Sequence, residues 1–112
     1  MAGKLTTHVL DIANGRPAAG VLVELHRLNG DQRTRLGEAV TNADGRTTSP
    51  LLVGDQLIAG LYELTFHIGV YFGSSAGFLD SVPVRFRIAD ATAHYHVPLL
   101  CSPWSYSTYR GS

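Results

Sequence analysis

The sequence predicts an all-β protein built from two packed antiparallel sheets. Apolar residues recur at every second position through most of the chain, as they do from Val82 to Ile88, and this period is typical of strands with one buried face. Turn-forming pairs such as Asn29-Gly30 and Asp44-Gly45 separate these runs, because glycine, asparagine and aspartate tolerate a positive φ. About eight short strands, each with one apolar face, can bury those faces only against one another, so two layers are expected.

Four of the strands are expected in the first half of the chain. The strand at 5–12 alternates apolar and polar residues and ends before an Asn-Gly turn. The strand at 20–28 has valine and leucine at its odd-numbered positions, which predicts that these side chains face the core. Turn signals on either side delimit the strands at 33–41 and 51–54.

Four more strands are expected in the second half. Clear alternation predicts strands at 61–69 and 82–88, and weaker alternation predicts strands at 93–101 and 105–110. The segment 70–80 alternates poorly, so at most one short helix is expected there. No repeat, linker or low-complexity tract divides the chain, and a single domain spanning residues 1–112 is therefore expected.

Composition excludes several classes of partner. Nine basic and nine acidic residues cancel, so the chain lacks the positive charge that binding to nucleic acid or an anionic membrane requires. The first residues contain no apolar stretch of signal-peptide type, and a cytoplasmic protein is expected. The single Cys101 excludes an intramolecular disulfide and a site of several thiolates within one chain. Its apolar surroundings predict a small buried side chain rather than a nucleophile.

The histidines are the first candidates for chemistry. In a strand, His94 and His96 point to the same side and lie roughly 7 Å apart. This spacing leaves three alternatives open, namely a zinc site, which needs three or four protein ligands, a general acid or base, and an ordinary strand surface. His8 shares a strand face with Thr6 and Leu10, whereas alternation predicts that His26 and His67 face outward from their strands and take no part in catalysis.

A loop arginine and the end of the chain supply the other candidates. Arg46 follows the Asp-Gly turn at 44–45, and its guanidinium suits a planar carbonyl or carboxylate. Chain ends usually fray, so the β-prone run ending in Tyr109, Arg110, Gly111 and Ser112 predicts a docked terminus that contributes to a site. Tyr109 and Arg110 are expected on opposite faces of the last strand. Ser112 has no neighbouring histidine in sequence, so spacing alone does not make it a Ser-His-Asp nucleophile.

Four separated segments carry a family resemblance. LTTHVLD (5–11), DGR (44–46), HYHVPLL (94–100) and SYSTYRGS (105–112) together resemble the transthyretin-like 5-hydroxyisourate hydrolases, over the whole length of the chain. The resemblance implies a prealbumin-type (transthyretin-like) β-sandwich and a homotetramer, a dimer of dimers, with active sites where subunits meet. It also implies hydrolysis of 5-hydroxyisourate, the product of urate oxidation, to 2-oxo-4-hydroxy-4-carboxy-5-ureidoimidazoline in purine catabolism, with no metal or organic cofactor.

Roles for individual residues follow from the same resemblance. It implies catalytic roles for His8, Arg46, His96 and Ser112, and substrate binding by His8, Arg46 and Tyr109. We expect the two histidines to activate water, with His96 preferred as the base, and Arg46 to polarise carbonyl oxygens.

Three side chains are expected at subunit contacts rather than in the chemistry: His94, Trp104 and Tyr106. The two aromatic side chains are expected to anchor an interface because aromatic residues concentrate in interface cores. Two other functions are compatible with a β-sandwich. A transthyretin-type carrier of small aromatic ligands would need an apolar channel, and an immunoglobulin-like adhesion module would leave the histidines unexplained.

Overall fold

The computed structural model describes residues 3–73 and 77–112 of the chain. These ranges contain nine strands, one α-helix and one 3-10 turn, Gly54–Gln56. The all-β prediction is therefore confirmed. The strands and the helix are β1 (Lys4–Asp11), β2 (Arg16–Pro17), β3 (Leu22–Asn29), β4 (Gln32–Val40), β5 (Leu52–Val53), β6 (Gly60–Phe66), α1 (Ile68–Phe72), β7 (Val82–Ile88), β8 (Tyr95–Cys101) and β9 (Tyr106–Thr108).

The strands form the two expected sheets. The first sheet has the order β2-β1-β8-β9, with β5 beside the start of β1, and the second has the order β4-β3-β6-β7. All pairs are antiparallel except β1 and β8, which run parallel with Thr6 opposite His96. The expectation of purely antiparallel sheets was wrong at this pair. Alternation within a strand defines which face is buried, but it contains no information about the direction of a partner far away in the chain.

The core lies between the two sheets and follows the predicted alternation. Leu5 and Val9 of β1 are fully buried, as are Val23 of β3 and Leu64 of β6. Cys101 is also fully buried, and burial raises the pKa of its thiol to about 11. The prediction of a buried cysteine is therefore confirmed.

The helix begins earlier than expected. Helix α1 starts at Ile68, so the sixth strand ends at Phe66 rather than at residue 69. Gly73 follows the helix with a φ of 72°, a left-handed conformation that commonly ends helices and that glycine adopts without strain. Residues 74–76 of the segment for which a helix was predicted lie outside the described residues. Strand β2 was not predicted because two residues are too few to show a period.

Two histidines are placed differently from the prediction. His26 is only 7% exposed, because β4 contains a bulge opposite Leu25 and His26 and because its neighbours on the two flanking strands are long side chains, Arg35 and Glu63. His67 lies outside the strands, immediately before α1, where it is half-buried and its Nε2 lies 2.6 Å from Glu24 Oε1. The prediction of an outward-facing strand histidine was therefore wrong for His67, which lies outside the strands, whereas His26 lies on β3 as predicted but is buried. Neither residue lines the cavity described below.

Candidate active site

A polar cavity of about 460 Å³ lies at the edge of the first sheet. Its walls come from β1, the loop 46–50, the start of β8 and the C-terminal residue. Arg46, His96 and Ser112 line this cavity, and so does His94. The structure therefore brings together three of the predicted site residues, which are separated by up to 66 positions in the sequence.

His96 occupies the centre of this arrangement. It lies on β8, half-buried, with its Nδ1 2.8 Å from the hydroxyl oxygen of Thr6 on the neighbouring strand. Its backbone carbonyl accepts a hydrogen bond from the N–H of Gly111, with 2.7 Å between nitrogen and oxygen. Burial lowers the pKa of His96 below its ordinary value of 6.5, and the electrostatic influence of the nearby Arg46 and His8 lowers it further. The imidazole is therefore neutral at neutral pH, which is the state that can accept a proton.

His8 lies beside this site on β1 and belongs to the same sheet face as Thr6. Its Nε2 is 2.8 Å from the backbone carbonyl oxygen of Asp44. A carbonyl can only accept a hydrogen bond, so the Nε2 of His8 carries a proton and donates it to Asp44. His8 thus ties β1 to the loop that carries Arg46, and a backbone bridge joins His8 to Arg46 directly.

The loop that presents Arg46 is held by Asn42. The side-chain oxygen of Asn42 accepts hydrogen bonds from the backbone N–H groups of Asp44 and Arg46, at 2.9 and 3.2 Å. Gly45 has a φ of 76°, and a Cβ at this position would collide with the carbonyl oxygen of Val9. The predicted turn is therefore present, and the glycine is required both by the backbone conformation and by the close approach of β1.

The chain terminus is docked, as predicted. Strand β9 pairs with β8 up to Thr108, and Gly111 then forms an isolated bridge with His96. A Cβ built on Gly111 would lie 2.5 Å from Cδ2 of the His96 ring. Glycine is thus the residue that allows the terminus to approach the imidazole closely enough to bring Ser112 to the cavity.

Tyr109 and Arg110 are not at this cavity. Both line a second cavity of about 320 Å³, where the guanidinium of Arg110 lies 4.2 Å from the ring centre of Tyr95. The expectation that they occupy opposite faces was wrong, because β9 ends at Thr108 and strand alternation does not continue beyond it. Tyr109 is 60% exposed in the single chain, and its role in substrate binding stays a prediction.

The pair His94 and His96 is not part of a larger group of metal ligands in the described residues. In the ranges 3–73 and 77–112, no three His, Cys, Asp or Glu side chains come together as metal ligands would. His94 and His96 do share one side of the sheet, as predicted, but the described part of the chain offers them no third ligand of these types. No helix in these ranges is long and apolar enough to cross a membrane.

Thr6 and the cavity wall at 47–50 were not among the predicted site residues. Alternation did place Thr6 on the face of His8, which was the available signal. The parallel pairing that brings it to His96 was not predictable from either strand. The wall at 47–50 is a loop without periodicity, and nothing in its sequence indicated the cavity.

Comparison with known proteins places the chain in a family. The model of the HIUase/Transthyretin family matches residues 5–111. A protein of Deinococcus radiodurans named 5-hydroxyisourate hydrolase is 58% identical, with 96% of this chain and 95% of the relative covered.

Two solved structures share the fold. A structure of (S)-allantoin synthase is 49% identical with a TM-score of 0.93, and this chain covers 44% of its length. Transthyretin from Sparus aurata is 29% identical with a TM-score of 0.87, and 96% of each chain is covered. With this match over nearly its full length, the chain belongs to the HIUase/Transthyretin family.

Proposed function

We propose that this chain is an enzyme that hydrolyses 5-hydroxyisourate to 2-oxo-4-hydroxy-4-carboxy-5-ureidoimidazoline, as a step of urate and purine catabolism. The observation that carries the proposal is the cavity that His96, Arg46 and Ser112 line together. Hydrolysis of a cyclic amide needs a base for water, a cation near the developing oxyanion, and polar groups that orient a flat heterocycle. The relative with 58% identity carries the name of this activity.

The hydrogen bonds favour His96 over His8 as the base. The Nε2 of His8 is occupied in donating to the carbonyl of Asp44. In the described residues, the Nε2 of His96 has no hydrogen-bond partner, and its pKa is low enough to keep the ring neutral at pH 7. His96 therefore takes a proton from water, and the resulting hydroxide attacks the ring carbonyl. When the carbon–nitrogen bond breaks, the proton passes from His96 to the departing nitrogen.

The other site residues have supporting roles in this proposal. Arg46 binds the substrate and stabilises the oxyanion with its positive charge. His8 positions the loop of Arg46 and contacts the substrate. Ser112 orients water or substrate through its hydroxyl or its carboxylate, and Tyr109 hydrogen-bonds the substrate ring. The reaction uses water as its only co-reactant and requires neither metal nor organic cofactor.

We also propose that the chain forms a homotetramer, a dimer of dimers, as one domain spanning residues 1–112. Trp104 and Tyr106 support an assembly, since they are 66% and 44% exposed and large exposed aromatic side chains are typical of interface cores. A second subunit could also bring a Tyr109 to the cavity. The proposed location is the cytoplasm, where a lone free thiol such as Cys101 stays reduced.

The alternative is a carrier of small aromatic ligands. Transthyretin from Sparus aurata supports it, because its fold is shared. A carrier of apolar rings needs an apolar channel, however, whereas Arg46, His96 and Ser112 line this cavity. The polar lining therefore favours the hydrolase.

The direct test is the decay of 5-hydroxyisourate, produced from urate by urate oxidase and followed by ultraviolet absorbance. The wild-type chain is expected to accelerate the decay, and His96→Asn to lower kcat about 100-fold or more. His67→Asn is the matched control, since this histidine lies away from the cavity and should leave kcat within about twofold. Decay at the spontaneous rate with the wild-type protein would reject the enzyme, and binding of aromatic ligands without turnover would favour the carrier.

A further inference from the structure

The imidazole of His96 is held on both of its flanks. On one flank, Nδ1 lies 2.8 Å from the hydroxyl oxygen of Thr6. On the other flank, Gly111 approaches Cδ2 so closely that a Cβ there would lie 2.5 Å away. Because these two ring atoms are both bonded to Cγ, the opposite edge with Cε1 and Nε2 is the one left for a molecule in the cavity.

We propose that Thr6 is a positioning residue that selects the tautomer of His96. Its hydroxyl oxygen accepts a hydrogen bond from a protonated Nδ1 and thereby leaves the Nε2 lone pair free. This inference rests on the proposed hydrolase function, in which His96 is the base. It adds a residue to the site and states on which nitrogen the resting proton lies.

A threonine hydroxyl can donate or accept, and the chemistry of proton transfer decides between the two. If Thr6 donated to Nδ1, the neutral ring would carry its proton on Nε2 and could not take one from water in the cavity. When His96 has accepted a proton, both ring nitrogens carry hydrogen. A bond in which Thr6 accepts survives this change without any rotation, whereas a bond in which Thr6 donates would be lost.

The architecture supports a dedicated role for Thr6. It stands directly opposite His96 in the parallel pair of β1 and β8, so the backbone of two paired strands determines the distance between them. Its hydroxyl makes no other hydrogen bond within residues 3–73 and 77–112. The adjacent Thr7 differs, because it is buried and donates to the backbone carbonyl of Val97 at 2.7 Å.

Thr7 therefore provides a matched control for the replacement of Thr6. Thr6→Val and Thr7→Val are equal changes in neighbouring residues, and each removes one hydrogen bond between the same two strands. The first should alter the state of His96. Thr7 also borders the cavity, but its hydroxyl bonds the Val97 carbonyl rather than His96, so the second variant should alter stability and leave His96 unchanged. A Thr6→Ser variant keeps the hydroxyl and serves as the rescue.

The first experiment observes the tautomer without substrate, by ¹⁵N NMR of histidine-labelled protein at a pH where His96 is neutral. We expect a protonated, pyrrole-like Nδ1 and an unprotonated, pyridine-like Nε2 in the wild type, in Thr6→Ser and in Thr7→Val. Thr6→Val should show a mixture of tautomers. A wild-type ring with its proton on Nε2 would overturn the proposal, whether or not the enzyme is active.

The second experiment measures turnover of 5-hydroxyisourate. Thr6→Val is expected to lower kcat about tenfold or more, as loss of a partner that orients a functional histidine does, with KM within about twofold. Thr6→Ser should restore kcat, and Thr7→Val should keep it while the thermal midpoint falls. Equal kcat values for Thr6→Val and wild type would also overturn the proposal. If the wild type shows the expected tautomer but no turnover, the proposed function fails and the arrangement of Thr6 and His96 stands.

Discussion

The backbone N–H of Gly111 donates a hydrogen bond to the carbonyl oxygen of His96 across 2.7 Å. This bond lies three residues beyond the end of β9, so it returns the chain to β8 after regular pairing has stopped. It holds the last residue at the cavity that His96 lines. The position of Ser112 relative to the imidazole therefore depends on one backbone contact at a glycine.

Gly111→Ala is expected to reduce kcat by about tenfold to 100-fold. The added methyl group would lie 2.5 Å from Cδ2 of His96, so the ring or the terminus must move, and displacements near 1 Å can cost this much. Steady-state kinetics and a thermal melt would measure the effect. Gly37→Ala is the control, because a Cβ there meets no atom within 4 Å. Equal kcat values for both variants would contradict the close contact.

Deletion of residues 109–112 should abolish turnover while the two sheets remain folded. The deletion removes Ser112 from the cavity and the Gly111 bond to His96, but it leaves all nine strands of the described ranges intact. Far-ultraviolet circular dichroism would monitor the fold, and the 5-hydroxyisourate assay would monitor turnover. A truncated protein that retains turnover would exclude the terminus from the active site.

The acidic limb of the pH–rate profile should have its midpoint below 6.5. Burial lowers the pKa of His96, and the nearby charges of Arg46 and His8 lower it further. As the pH falls through this lowered pKa, the base becomes protonated and kcat/KM decreases. The same shift makes the folded state lose stability as the pH falls from about 6.5 towards the pKa of the folded protein, because the unfolded chain binds the proton more readily.

Removal of the Arg46 charge tests what lowers the pKa of His96. Arg46→Met should raise the pKa of His96 towards 6.5, and an NMR titration of the histidine can measure this even if the variant is inactive. Arg87→Met serves as the control, since Arg87 lies on β7 in the other sheet. A pKa that does not change in Arg46→Met would show that the Arg46 charge does not contribute to the lowered pKa of His96.

The buried carboxylate of Glu63 should have a large effect on the free energy of unfolding, and this effect should depend on its two arginine partners. Glu63 is 4% exposed and accepts hydrogen bonds from Arg33 and Arg85 at 2.7 and 2.9 Å. Burial acts to raise the pKa of Glu63, but the two guanidinium groups outweigh it and hold that pKa below 4.5. Replacing both arginines with methionine should reduce the free energy of unfolding by about 3 kcal/mol, because an unpaired charge stays buried.

The control for this prediction is the same double replacement in a Glu63→Gln background. Without the negative charge, the loss of both arginines should cost clearly less, and urea denaturation at pH 7 would measure all four proteins. Equal costs in the two backgrounds would mean that the arginines stabilise the sheet through packing alone.

The sequence predicted which face of a strand a residue occupies better than it predicted which residues lie opposite it on neighbouring strands. Alternation correctly placed Thr6 with His8 and paired His94 with His96, because the members of each pair are close neighbours in the chain. It did not reveal the burial of His26, because a bulge on the neighbouring strand and long flanking side chains determine that burial. It also could not show that Thr6 faces His96, since the direction and register of β1 against β8 depend on the whole fold.

The parallel pairing of β1 with β8 also concerns how the protein folds. Thr6 and His96 are separated by 90 residues along the chain, so their contact closes one of the longest loops that the molecule contains. Contacts of such high sequence separation are slow to form, and a nascent or nicked chain that lacks either end cannot make this one. Recovery of turnover during refolding would therefore report the joining of the two ends of the polypeptide, which spectroscopic signals from the second sheet would not detect.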